Sequence, residues 1–138
     1  MKVKTKMKVK TDKLIGPALD WAVAKLINPD IGNTVPYYPD GSDYAPSLRW
    51  AHGGPIIEQE KLGVWWAPHI VDDEGNEFGG HWFAETGCTD ENPNETYYCY
   101  IGPTPLIAAM RCYVAAKLGS EVYIPEELVV LEKAAITI

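Results

Sequence analysis

The chain has 138 residues, 46% of them hydrophobic and 22% charged, with a formal net charge of −7. That suits one globular domain with its own core; it is short for two domains and too apolar for a disordered chain. No apolar run approaches the ~18–20 residues that span a bilayer and none follows the basic start, so neither an anchor nor a secretory leader is expected and the default is the cytosol.

The start repeats itself, MKVKTK then MKVKT, so Met7 is a second candidate start and residues 1–7 are expected to be a loosely held extension. Lys8–Thr11 is expected to form a short strand or lead-in; the alternative is a single edge strand of alternating Val and Lys. Asp12 is a plausible N-cap for a first helix from Lys13 to Ile27. Leu14, Ile15, Ala18, Leu19, Trp21, Ala22, Val23 and Leu26 cover about half of its wheel, and Asp20 and Lys25 are its only charges after Lys13. Much of this helix should be buried.

Residues 28–48, with four prolines and two glycines, read as a long loop with turns at Asn28-Pro29 and Pro39-Asp40-Gly41. Gly53-Gly54-Pro55 then opens a short helix reaching about Lys61, with Pro55 in its first turn. Gly63–Val71 and Glu77–Glu85 flank Asp72-Asp73-Glu74-Gly75-Asn76 and predict an antiparallel hairpin, with Gly79-Gly80 marking a bulge or a close approach. After an acidic loop over 86–94, Glu95–Ile101 is a third strand. Thr104 as N-cap, Pro105 at N1 and Gly119 past the end define a second long helix. Glu121–Ile124 reads as a strand, Pro125–Leu128 as a turn of helix and Val129–Ile138 as a closing strand. The fold class expected is α+β: one domain over 1–138, with two main helices packed on one face of a small, mostly antiparallel sheet.

Residues 1–13 carry six lysines against Asp12, whereas Asp40 to Glu95 carries twelve acids against Arg49 and Lys61. A phosphate-backbone binder needs a basic face, so nucleic-acid binding through the body is disfavoured. Cys88, Cys99 and Cys112 lack CxxC spacing, which predicts reduced thiols, with Cys112 a small core residue. His52, His69 and His81 have no metal-ligand spacing with the cysteines, so neither metal nor cofactor is implied. Nucleophile and phosphate-loop motifs are missing too, which makes an enzyme the weakest reading.

Aromatic residues are concentrated: twelve of fifteen lie between Tyr37 and Tyr100. Trp65 and Trp66, adjacent on a strand, must point to opposite faces; one suits the core, and the other is exposed or covered by a ligand, loop or subunit. The cluster covers a small sheet, stacks a planar group or anchors a protein interface. Two helix starts, at Thr104 and at Gly53-Gly54, offer N–H groups to an anion, although ordinary capping explains them as well. Arg111 is the only charge between Pro105 and Ala116. It pairs with Asp20, faces solvent or meets a ligand phosphate.

The segments LIGPALDWAVAK (14–25), YAPSLRWAHGGPIIE (44–58) and GPTPLIAAMRCYVAAKLGSEVYIPEEL (102–128) resemble, in order, those of the NinX-like proteins of lambdoid phages and prophages. The resemblance covers most of residues 7–128; Asp72–Thr96, the tail after Leu128 and the doubled start depart from it. It implies a phage accessory protein in a host bacterial cytoplasm, and no particular reaction. The leading expectation is a non-catalytic binder that sequesters a small phosphorylated or nucleotide-like ligand, such as a host defence signal. Its candidate ligand-binding residues are Trp50, His52, Gly53, Gly54, Trp65, Trp82, Thr104 and Arg111. The alternative is an acidic inhibitor or adaptor acting on a host protein, for instance by imitating DNA charge. Exposed aromatics also predict a homo-oligomer.

Overall fold

The computed structural model describes residues 5–34, 36, 42–86 and 98–129. In chain order these form β1 (Lys6–Lys10), a 3-10 turn (Thr11–Lys13), α1 (Gly16–Ile27), α2 (Trp50–Glu60), β2 (Leu62–Ala67), β3 (Ile70–Val71), β4 (Glu77–Phe78), β5 (His81–Thr86), β6 (Cys99–Gly102), α3 (Pro105–Leu118) and β7 (Glu121–Pro125). The fold class is the α+β arrangement expected, and every described strand pair is antiparallel.

Helix α3 is the hub. It is buried at every position from Leu106 to Ala115, as a helix apolar on all sides requires. Thr104 caps it by accepting a hydrogen bond from the Ile107 N–H at 3.1 Å, and Gly119 ends it at φ +96°. It packs on the β2–β5–β6 sheet and on α1 and α2. Leu14, Leu19, Val23, Met110, Val114 and Ile124 are fully buried around it. Of the two long helices, α3 packs on the three-stranded sheet as expected, whereas α1 packs chiefly on α3 and on β7 of the β1–β7 ribbon.

Several boundaries differ from the sequence expectation, each for a local reason. Strand β1 begins at Lys6, paired with Pro125, and the Thr5 hydroxyl bonds the Glu126 carboxylate at 2.6 Å, so the strand begins before Lys8. Residues 1–4 lie outside those described. The first helix starts at Gly16, not Lys13. Pro17 disfavours helical backbone in the residue before it, and Gly16 escapes to φ +59°, breaking the run there. Helix α2 starts at Trp50, so Gly53-Gly54-Pro55 lies inside it, not ahead of it. A Cβ on Gly53 would collide with the Pro46 carbonyl and sit 2.7 Å from Leu106 Cδ2; the close approach to α3 holds the glycine in helix. Val129 is helical, whereas a closing strand was expected to begin there, and 130–138 lie outside the described residues. So do Pro39-Asp40-Gly41, 87–94 and the first residues of the expected third strand, 95–97.

The hairpin is present and in continuous register. Ala67 pairs with His81 and Ile70 with Phe78, an equal advance on both strands, so Gly79-Gly80 inserts no extra residue. The two glycines form a break instead, at φ +74° and +75°, where a Cβ on Gly79 would collide with the Pro68 carbonyl. Trp65 stacks on Phe83 on one face and Trp66 meets Trp82 edge-on on the other. Both Trp65 and Trp66 stay exposed. Along the inner face burial fades from Leu62 through Val64 to Trp66, because the core supports only the first half of β2.

Candidate functional site

A groove of about 460 Å³ opens between the end of α1, α2 and α3. That volume falls within the range of small-molecule sites. Leu26, Ile27, Pro55 and Ile56 form its apolar lining; Tyr44, His52, Gln59, Glu60 and Tyr113 bring polar groups.

Those polar groups are held in place. The Ala45 N–H donates to His52 Nδ1 at 2.9 Å, which leaves the ring proton of neutral His52 on Nε2. Tyr44 stacks on the same imidazole, centroids 5.5 Å apart and planes 15° from parallel. Glu60 is 3.5 Å from the ammonium of Lys117. The Tyr113 hydroxyl has its pKa raised by burial and, second, by the Glu60 carboxylate, so it stays protonated and can donate. The groove thus offers a stacked ring pair, an amide, a carboxylate and phenolic hydroxyls, on an apolar wall.

Of the residues expected to bind a ligand, only His52 lies in this groove. Trp50 is exposed on the first turn of α2; Gly53 faces Pro46 and Leu106; Gly54 has open space around it. Trp65 and Trp82 belong to the sheet, and Thr104 is occupied in capping. Tyr44, Gln59, Glu60 and Tyr113 were not singled out from the sequence. Gln59 and Glu60 resemble an ordinary polar helix face, and Tyr113 is hidden in an apolar helix; only three-dimensional convergence reveals them.

Arg111 resolves differently from all three uses weighed for it. Its Nε–H donates to the Leu14 carbonyl at 2.7 Å and its Nη1–H to the Ile101 carbonyl at 2.8 Å. It ties the lead-in to α1 to strand β6, and it does not pair with Asp20. Asp20 is 5% exposed and instead accepts the Ser47 N–H at 2.8 Å. Burial pushes the Asp20 pKa up to about 6, against the opposing pull of Ser47. The Ser47 hydroxyl is near enough to favour the carboxylate, yet no hydrogen bond of good geometry satisfies its oxygen. Cys112 is a core residue as expected, its thiol pushed up to about 12 chiefly by burial.

Among the described residues no three metal-ligating side chains cluster, and no helix is long and apolar enough to cross a membrane. No curated protein matches the chain. The family described as Bacteriophage P22, NinX matches residues 10–117, a span that holds every residue lining the groove as well as Arg111 and both of its acceptors. The chain therefore belongs to the Bacteriophage P22 NinX family.

Proposed function

We propose that this phage protein is a non-catalytic binder that sequesters a small nucleotide-like molecule in the host bacterial cytoplasm. The observation that carries the reading is the stacked Tyr44–His52 pair in a groove that also presents Gln59, Glu60 and Tyr113. A ring-bearing ligand gains stacking on one side and hydrogen bonds from fixed donors and acceptors on the other, over an apolar floor. The ring and sugar, not the phosphate, are the parts that suit the groove. Glu60 repels an anion, and the cation beside it, Lys117, is already engaged with that carboxylate. The anion contacts weighed from the sequence lend no support, since Thr104 caps α3, Gly53-Gly54 lies inside α2 and Arg111 holds two carbonyls. A phosphate would therefore extend outward from the groove. A host defence signal fits this description and the phage family.

The test is to denature protein purified from phage-infected cells and identify what it releases by mass spectrometry. Titration with a panel of nucleosides and their monophosphates follows. Saturable binding is expected, weakened about tenfold or more by Gln59→Ala and by Tyr113→Phe with little change in melting temperature. Glu60→Gln should favour the monophosphates over the nucleosides. Absence of saturable binding up to millimolar concentrations, or binding indifferent to these three variants, defeats the reading.

A further inference from the structure

Strands β3 and β4 form a small ribbon that packs extensively on no other described element. Ile70, Val71 and Phe78 on it are between 54% and 57% exposed. Ile70 and Phe78 are cross-strand partners, so they stand side by side as one apolar patch. Two-residue strands with apolar side chains in water are marginal by themselves. Yet this ribbon is firmly braced. The Asp72 carboxylate accepts the N–H groups of Glu74 and Asn76 at 2.9 and 2.8 Å and the Asn76 amide at 3.1 Å. Backbone bonds run from Asp72 N–H to the Asn76 carbonyl and from Gly75 N–H to the Asp72 carbonyl. These bonds hold the Asp72 pKa below the usual carboxylate range. At the base, Gly79 and Gly80 adopt left-handed backbone that sets the ribbon's angle to the sheet. His69 lies 3.6 Å from Glu77 across the ribbon.

We propose that ribbon 68–80 is a preorganised docking element for a protein partner with an apolar cleft rimmed by lysine or arginine. The Ile70–Phe78 patch supplies the buried centre of such an interface, while Val71 lies on the opposite face of the ribbon. The charges select the partner: residues 68–80 carry four acids, no lysine, no arginine and one histidine. Asp72 is spent on the turn and Glu77 lies beside His69 on the other face, which leaves Asp73 and Glu74 to meet a basic rim. A second copy of this chain, at net charge −7, and an anionic membrane surface are both repelled by that edge. Bracing lowers the ordering cost of binding, so a short element suffices. The proposal is independent of the groove ligand.

The test places p-benzoylphenylalanine at position 78 of the full chain in bacterial cells, with the same photoreactive residue at position 58, exposed on α2, as control. Any protein captured specifically at 78 is then purified and its affinity measured. Expected is a partner with a basic contact surface, bound at least tenfold more weakly by Phe78→Ser, by Ile70→Ser and by the double variant Asp73→Lys, Glu74→Lys. The charge variant should also flatten the salt dependence, and Gln59→Ala should bind as the parent does. All variants should keep the parent's melting temperature within a few degrees, since the ribbon packs extensively on no other described element. Equal capture at 78 and 58, adducts only with a second copy, or affinity unchanged by Phe78→Ser would each overturn the proposal.

Discussion

Two buried charges, at the centre and at one corner, meet opposite fates. Around Arg111 the fold brings carbonyls from two distant elements, so the guanidinium is satisfied and becomes a cross-link between them. Around Asp20 it supplies the Ser47 N–H but leaves the carboxylate in a setting that favours its neutral form. Burial by itself therefore says little about what a charge contributes. What decides is whether the elements packed against it supply partners of the right sign.

The largest effect expected breaks the central clamp. Arg111→Ala strands the buried Leu14 carbonyl, frees the part-buried Ile101 carbonyl and removes the packed aliphatic stem, at a cost of about 3–5 kcal/mol. Arg111→Lys should recover only part of this, because a single ammonium cannot reproduce the forked contact. Urea unfolding of the three proteins measures it.

Gly53→Ala comes next. Its methyl meets Pro46 and Leu106 and should cost about 1–3 kcal/mol. The neighbouring Gly54→Ala meets nothing within 4 Å and should gain about 0.5–1 kcal/mol from helix propensity. Thermal melts of the pair should move in opposite directions.

At the corner the expected sign is reversed. The folded pKa of Asp20, about 6, exceeds the ordinary 3.8, so folding favours the protonated form. Stability from this group is greatest below pH 4 and is lost as pH rises through about 6. Asp20→Asn keeps an acceptor for the Ser47 N–H and adds a donor for its unsatisfied hydroxyl. It should stabilise the protein by about 1–2 kcal/mol at pH 7.5, at ~1.4 kcal/mol per pKa unit less the imperfect mimicry. The gain should shrink as pH falls toward 4. Melting curves across pH 4–8 check both sign and window; a destabilised variant at pH 7.5 would mean that the carboxylate is an asset after all.

Elements whose boundaries carry local chemistry were legible in the sequence. Thr104, Pro105 and Gly119 delimit α3 to the residue, and the Asp72–Asn76 turn sets the hairpin. The beginnings of α1 and α2 were not. Gly16-Pro17 reads as helix interior until the glycine's positive φ is known, and Gly53-Gly54-Pro55 reads as a helix start until its contact with α3 overrides the local signal. Arg111 was visibly anomalous, but the neutral carbonyls that receive it carry no mark in a sequence, and Asp20 was the conspicuous and mistaken partner. The groove was least legible: Tyr44 and Tyr113 are far apart along the chain, and neither belongs to a motif.

The Arg111 clamp also bears on how the protein is made. Its acceptor at Leu14 lies near the start of the chain, and close by the Thr11 N–H reaches the Ser120 carbonyl, the Thr11 hydroxyl reaches Gly119, and β1 pairs with β7. Elements synthesised earlier thus find their partners only in ones synthesised about a hundred residues later. A nascent chain that has reached α2 holds an apolar α1 with nothing to cover it, and loop closure across about a hundred residues must come before any of these contacts forms. Premature termination before Pro105 would leave not a smaller domain but a chain without its hub or its closing strand, a substrate for proteases.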